Sequence, residues 1–220
     1  MKSQKMKTKY LVLVAMFSAV AYVLVVIGKI IPNVAGFLSY EPKDAIIVIA
    51  GFFLGPMASF LISLIVSVIE MLTISTTGPY GLLMNIVSTC SFAVPAVFIY
   101  KKLHSRKGAV IGLITGVAAM AACMLIWNYT VTPFYMGVDR SVVAGMLMSV
   151  FLPFNLIKGA LNAAIALILY KPLVNALRKT KLVEETSPSV KGSFSVGTFL
   201  VLLAVIITLV FLFLALAGVL

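Results

Sequence analysis

The chain has 220 residues, of which 62% are hydrophobic and 10% charged, and its formal net charge is +11. Soluble domains carry about 25% charged residues, and the mean hydropathy of +1.17 excludes a soluble globular protein. About 20 consecutive apolar residues cross the hydrocarbon core of a bilayer. The length therefore predicts an all-α membrane protein with six or seven such helices and no separate soluble domain.

Apolar runs bounded by turn residues predict seven helices. We expect them at 10–29, 44–54, 57–74, 80–100, 108–130, 144–170 and 196–219. The second run is too short to span the bilayer upright, which marks a non-ideal region near one face. The predicted organisation is a six-helix membrane domain over 1–175, a polar cytoplasmic linker over 176–195 and an additional C-terminal hydrophobic helix over 196–220.

Lysines and arginines cluster at alternate ends of these runs. With the N-terminus in the cytoplasm, thirteen of them lie on the cytoplasmic side, against Lys29, Lys43 and Arg140 outside. Cytoplasmic loops carry the excess of positive charge in membrane proteins, so we expect a multi-pass plasma-membrane protein with a cytoplasmic N-terminus. The same placement assigns the basic residues to the lipid bilayer and its faces, and not to nucleic acid.

Polar residues recur at helical spacing inside three of the runs. The sets are Ser59, Ser63, Ser67 and Glu70, then Asn85, Ser88 and Thr89, and finally Asn155, Lys158 and Asn162. Each set shares one helical face. We expect these three faces and the polar outward end of the fifth run, Asn128, Tyr129, Thr130 and Thr132, to converge on one cavity. A lysine at mid-membrane costs about 2.5–3.5 kcal/mol, which favours a ligand or cavity role for Lys158. Pairing with Glu70 is the structural alternative, and the serines are also explained by helix–helix hydrogen bonds.

Two further features lie near the start of the chain. The aromatic segment 32–44 is placed to cover an outward-facing pocket. Asp44 opens the second helix, where a carboxylate suits free N–H groups and the helix dipole, so capping and ligand contact both stay open. Ala15 and Ala19 form a small-xxx-small pattern that admits close approach of another helix, from the same chain or from a partner.

Nothing in the sequence predicts an enzyme. The single histidine, His104, lies in a basic loop, and the sequence contains no Walker lysine, HExxH or GxSxG motif. We expect no catalytic residues, no metal site and no cofactor. Energy for active transport would then come from an ion gradient or from a partner.

Several motifs together carry a family resemblance. The most telling are Asn128-Tyr129, Pro133-Phe134-Tyr135 and Leu152-Pro153-Phe154-Asn155-Leu156-Ile157-Lys158-Gly159. Ala15-Met16-Phe17-Ser18-Ala19 belongs to the same pattern but is not specific. Over about residues 8–175 the chain resembles the substrate-binding S components of energy-coupling factor (ECF) vitamin transporters, and among them the riboflavin type.

The resemblance implies a six-helix subunit that captures riboflavin, with FMN as a further candidate, near the outer face. Riboflavin would be the transported ligand and not a cofactor. The implied partners are a membrane coupling protein (EcfT-like) that contacts Ala15 and Ala19, and two ABC ATPases. By motif position, the ligand would be held by Asn128, Asn155 and Lys158, with Asp44, Asn85 and Tyr40 as further site residues.

Three alternatives stay open at the level of sequence. The cargo of such a subunit could be pantothenate, a thiamin precursor or folate, and the folate dianion calls for more than one cation. A stand-alone secondary transporter would use Glu70 and Lys158 for protons or ions, but such folds often contain internal repeats, and none is evident between residues 1–100 and 108–220. A purely structural membrane scaffold would leave Lys158 without a function.

Overall fold

The computed structural model describes residues 2–179 and 196–219, which are almost entirely helical. The helices are α1 (Lys2–Gly28), α2 (Lys43–Leu54), α3 (Pro56–Thr73), α4 (Gly78–Leu103), α5 (Arg106–Thr130), α6 (Thr132–Met136), α7 (Arg140–Met146), α8 (Leu152–Lys179) and α9 (Val196–Leu216). A π-helical turn, Leu147–Phe151, joins α7 to α8. The predicted linker at 176–195 lies outside the described residues, except where α8 continues to Lys179.

Six helical stretches are long and apolar enough to cross a membrane. They are Lys7–Gly28, Pro56–Thr73, Gly78–Leu103, Arg106–Thr130, Arg140–Leu173 and Gly197–Leu216. The first five and the short α2 make up the six-helix bundle, and α9 is the additional C-terminal helix. The predicted all-α membrane fold is confirmed.

The short helix α2 lies at the centre of the bundle. Its 12 residues rise only about 18 Å, which is less than the hydrocarbon thickness of about 30 Å. Gly55 ends it at a φ of 102°, a conformation that glycine adopts without a steric penalty. Because α1, α3, α4 and α8 pack around it, every residue from Lys43 to Phe52 is buried. The charged first turn of α2 is therefore enclosed by protein.

The sixth predicted helix, at 144–170, is longer and less regular than expected. Its helical residues run from Arg140 to Lys179, and the π turn interrupts them. Pro153 follows the turn closely and has no N–H to donate. Two residues further on, the Asn155 side chain donates a 2.7 Å hydrogen bond to the carbonyl of Phe151, the last residue of the π turn. The change of helical phase thus comes directly before the polar residues predicted on this helix.

Two glycines allow α5 to pack closely on α4. A Cβ atom at Gly112 or at Gly116 would press on the backbone carbonyl of Ala96 or of Phe92, respectively. Small residues at helix crossings allow such close backbone contact in membranes. The α4–α5 crossing thereby fixes the position of α4, the helix that contains Asn85, Ser88 and Thr89.

We expect Gly116→Ala to destabilise the protein, because the added methyl group has no room against the Phe92 carbonyl. Overpacking of this kind costs about 1–3 kcal/mol, and each kcal/mol lowers the unfolding midpoint by about 2–4 °C in a chain of this size. Gly145→Ala is the matched control, since nothing lies within 4 Å of a Cβ atom there. Thermal unfolding in detergent makes the comparison, and equal midpoints would contradict the close packing.

Candidate ligand-binding site

The segment between α1 and α2, residues 29–42, forms a compact loop that we call the strap. The backbone N–H groups of Val34 and Leu38 each donate to the carbonyl of the other, at 2.9 and 3.0 Å. Ala35 and Gly36 make the turn between them with φ angles of 51° and 82°. Because these bonds are internal to the segment, the strap has a defined shape of its own.

A cavity of about 90 Å³ lies beneath the strap. Its walls combine the strap with residues of the helices and their connections, namely Glu70, Thr76, Thr77, Met84, Asn85, Ser88, Met124, Tyr135, Phe154, Asn155 and Lys158. The polar faces of α3, α4 and α8 therefore meet at one place, as their spacing predicted.

Six charged side chains beside this cavity form a cluster that we call the charge cluster: Lys29, Glu41, Lys43, Asp44, Glu70 and Lys158. The Lys43 Nζ lies 2.6 Å from Glu41 and 3.1 Å from Glu70. The Lys158 Nζ lies 2.6 Å from Glu41 and 3.7 Å from Asp44. Lys29 closes the series, 2.9 Å from Glu70. Three ammonium groups thus balance three carboxylates.

The charge cluster shows which carboxylates pair with Lys158. Its partners are Glu41 and Asp44, whereas Glu70 pairs with Lys29 and Lys43. The alternative of a Lys158–Glu70 pair is therefore not the arrangement observed.

Neutral side chains complete the charge cluster. Thr89 donates a 2.6 Å hydrogen bond to Asp44, and Asn85 donates at 2.9 Å to Glu70. Asn162 donates from α8 to the Glu41 backbone carbonyl at 3.1 Å. The same amide accepts from the Ala45 N–H at 3.2 Å, so Asn162, and not Asp44, satisfies this N–H in the first turn of α2.

Glu41 lies in the strap and remains ionised. Burial by itself raises the pKa of this carboxyl group, but Lys158 and Lys43 outweigh burial and lower the pKa from 4.5 to about 2. The folded-state pKa is depressed, so the stabilisation is fully present above about pH 4.5 and is lost as the pH falls towards 2. The strap therefore stays tied to α2 and α8 at neutral pH.

Three of the six predicted ligand residues, Asn85, Asn155 and Lys158, line the cavity. The other three lie behind its wall. Asn128 is fully buried, donates to the Met124 carbonyl at 2.7 Å and accepts from Thr132 at 2.8 Å. Asp44 belongs to the charge cluster, and the Tyr40 ring packs 5.9 Å from that of Phe213 in α9. Their direct contact with ligand stays a prediction.

Sequence reasoning missed Glu41 and Lys43 as site residues. Lys43 was counted among the outer charges that set the topology, yet it is completely buried. The available signal was the run Glu41-Pro42-Lys43-Asp44 directly before an apolar stretch with no polar spacer. Because no polar spacer separates these charged residues from the apolar part of α2, they are buried in the bundle together with the start of that helix.

On its aromatic side the site continues into a second, smaller cavity of about 20 Å³. The two cavities share Phe37, Thr77, Met84 and Tyr135, and Trp127 lines the smaller one. Tyr129, the second residue of the Asn128-Tyr129 motif, is 43% exposed and has Arg140 over its ring. The site thus has a charged side and an aromatic side.

The alanine pair of α1 lies on the outside of the bundle. Leu13, Phe17 and Ala21 are buried against the core, whereas Ala15 and Ala19 are exposed. Their spacing of four residues places them together on one face. This face is open to another helix.

Fold and site together define a membrane-embedded subunit that binds a small solute. In the described part of the chain, no group of three or more His, Cys, Asp or Glu side chains is arranged to hold a metal ion.

Residues 9–170 match the family described as ECF transporter, substrate-specific component. The chain belongs to this family, whose members are transport components and not enzymes.

Known relatives extend over most of the chain. The riboflavin transporter FmnP of Bacillus subtilis (strain 168) is 30% identical over 194 residues, covering 80% of this chain and 100% of the relative. The riboflavin transporter RibU of Staphylococcus aureus (strain TCH60) is 31% identical over 184 residues, covering 81% and 97%. A solved structure of the S component of a bacterial ECF transporter has 31% identity and a TM-score of 0.68, covering 78% and 99%.

We expect Lys43→Met to lower the free energy of unfolding by about 3–5 kcal/mol, the usual cost of removing one partner of a buried ion pair. The double variant Lys43→Met with Glu41→Gln keeps the Lys158–Asp44 and Lys29–Glu70 pairs, so it should recover part of that loss. Lys107→Met, at an exposed position, is the control. Denaturation in detergent measures all three, and a single Lys43 variant as stable as the control would disprove the energetic role of the charge cluster.

Proposed function

We propose that this chain is the substrate-binding subunit of an ECF-type importer that captures riboflavin at the outer face of the plasma membrane. The observation that carries the proposal is the cavity, in which Asn155 and Lys158 lie together with aromatic residues. The names of the FmnP and RibU relatives support the same ligand.

The cavity chemistry suits an isoalloxazine ring. The ring edge presents carbonyl and ring-nitrogen acceptors and one N–H donor, and an asparagine amide can both donate and accept. An ammonium group has three hydrogens. On Lys158 one of them is donated to Glu41 at 2.6 Å, whereas Asp44 lies at 3.7 Å, within ion-pair distance but beyond a hydrogen bond. The ammonium group therefore has a hydrogen left for a ligand acceptor. Phe154 and Tyr135 supply apolar ring surface.

Charge balance favours riboflavin over a dianionic vitamin such as folate. Lys43 and Lys158 each have carboxylate partners, so they add no net positive charge to the cavity. FMN is a further candidate whose phosphate would also need a cation. Lys29, which lines the cavity and has 37% of its side chain exposed, would have to share its ammonium group between that phosphate and Glu70, 2.9 Å away.

Entry of such a ligand requires movement of the strap. Pockets for ligands of this size occupy about 300–1,000 Å³, whereas the cavity has about 90 Å³. The strap forms most of the cavity wall that lies outside the transmembrane helices, and Thr76, Thr77 and Tyr135 form the rest. We propose that it moves outward to admit riboflavin and then covers it.

The contact with a membrane coupling protein is proposed to lie on α1. We propose a cytoplasmic N-terminus, supported by the lysine and arginine distribution. A membrane coupling protein would pack on the exposed Ala15 and Ala19 face, and two ABC ATPases would supply the energy for release into the cytoplasm.

Riboflavin binding is tested first by the visible spectrum of the detergent-purified protein and by titration with riboflavin fluorescence as the signal. We expect stoichiometric quenching, and an affinity reduced about 10- to 100-fold in Lys158→Met, because hydrogen bonds to charged groups contribute about 1.5–3 kcal/mol. In Asn155→Ala we expect a loss of about 2- to 10-fold, because a neutral hydrogen bond contributes about 0.5–1.5 kcal/mol. Thr115→Ala, on the exposed side of α5, should bind normally.

A colourless protein without quenching would exclude riboflavin and turn the search to pantothenate, thiamin precursors and folate. Quenching that is unchanged in both cavity variants would keep the ligand and reject the proposed pocket.

For the coupling surface, we expect Ala15→Trp to retain riboflavin binding and to lose uptake in cells that contain the complete transporter, because the indole blocks close helix approach. Ile114→Trp, at a 65% exposed position on α5, is the bulky control and should transport normally. Binding is measured on purified protein and uptake with labelled riboflavin. Loss of binding in Ala15→Trp would place this face of α1 at the cavity instead.

A further inference from the structure

The additional helix α9 is not uniformly exposed along its length. Most of its side chains face outward, and Phe211 is 59% exposed. Phe213, two residues later, is only 3% exposed. Since α9 begins at Val196, it lies beyond the family match, which ends at residue 170.

Phe213 is buried in an apolar cluster that includes the strap. We call this the strap cluster, and its buried members are Val34, Leu38, Tyr40, Val143, Phe151, Phe154, Leu161 and Phe213. Ile206, Leu209 and Leu216 pack against it from the same helix. Their spacing follows one helical face, so the end of α9 is docked through that face.

The ring contacts of Phe213 join the strap to the cavity wall. Its centroid lies 5.9 Å from that of Tyr40 and 6.2 Å from that of Phe154. Tyr40 belongs to the strap, and Phe154 lines the cavity. Phe213 itself is not among the residues that line the cavity.

The contact with Tyr40 is adjacent to the ionic attachment of the strap. Glu41, the next residue, binds both Lys43 and Lys158 at 2.6 Å. Leu38, on the other side of Tyr40, belongs to the strap cluster and also lines the cavity. The end of the strap is therefore held at two neighbouring points, one ionic and one aromatic.

We propose that α9 is a latch on the strap and that Phe213 is the positioning residue that slows its opening. The ring packs on Tyr40 of the strap and on Phe154 of the cavity wall and does not itself line the cavity, so it acts on the movement of the strap and not on the ligand. Of its two ring contacts, the one with Tyr40 separates when the strap opens. An aromatic pair contributes about 0.5–1.5 kcal/mol beyond its buried area, and the upper value corresponds to about a tenfold change in an opening equilibrium.

The first test measures opening without any ligand. Ser88 is 2% exposed and lines the cavity, so a Ser88→Cys thiol reacts with a membrane-impermeant maleimide only when the strap opens. Cys90 and Cys123 are replaced by alanine to remove the native thiols. In this background we expect Phe213→Ala to accelerate labelling about tenfold.

Phe211→Ala is the matched control, because it removes the same side chain from the exposed side of the same helix. Labelling should stay at the parent rate in this control. Equal labelling rates in the Phe213 and Phe211 variants would overturn the latch. If Phe213→Ala fails to fold, Phe213→Leu keeps apolar volume without the ring, and it should accelerate labelling in the same direction by a smaller factor.

The second test rests on the proposed function and measures riboflavin association and dissociation by stopped-flow fluorescence. A latch that closes the strap equally with and without ligand slows both rates, so Phe213→Ala should raise both about tenfold while the dissociation constant changes less than twofold. A residue that merely shapes the pocket would raise the dissociation rate alone, and that result would reject the latch. A parent protein that never binds riboflavin would overturn the proposed function, while the labelling test would still decide the latch.

Discussion

The need to cancel charge inside a bilayer governs the structure around the strap. An isolated charge buried away from water is costly, and the six side chains of the charge cluster avoid that cost by pairing. They are retained because three lysines and three carboxylates lie within ion-pair distance of one another. Lys43 depends on this arrangement most, since it is completely buried. The positions of α2, α3, α8 and the strap follow from it, because each of these elements contributes at least one member.

The same pairing connects the cavity with its cover. Glu41 is the residue of the strap that reaches both α2 and α8, and its partner Lys158 lines the cavity. A ligand acceptor that approaches Lys158 shares the ammonium group with Glu41. Occupancy of the cavity and the position of the strap are therefore linked by electrostatics, and no long relay of side chains is needed between them.

The sequence predicted the large features because they depend on local pattern. Continuous apolar runs located the bundle helices and α9, and the spacing of Ser59, Ser63, Ser67 and Glu70 identified a face that is in fact buried. The partners of Lys158 were not predictable, because Glu41 lies 117 residues away and its side-chain direction depends on the strap. The docking of Phe213 was equally hidden. A helix that is apolar on all sides carries no amphipathic signal for the face it buries.

The placement of α9 has a consequence for assembly. It packs on α8, whereas α1 packs on α2 and α3, and the exposed alanines belong to α1. A protein that recognises α1 would therefore meet the same surface whether or not the seventh crossing is present. The added helix is modular in this sense: under the proposed latch it alters the opening of the strap without altering the α1 surface that a partner would contact.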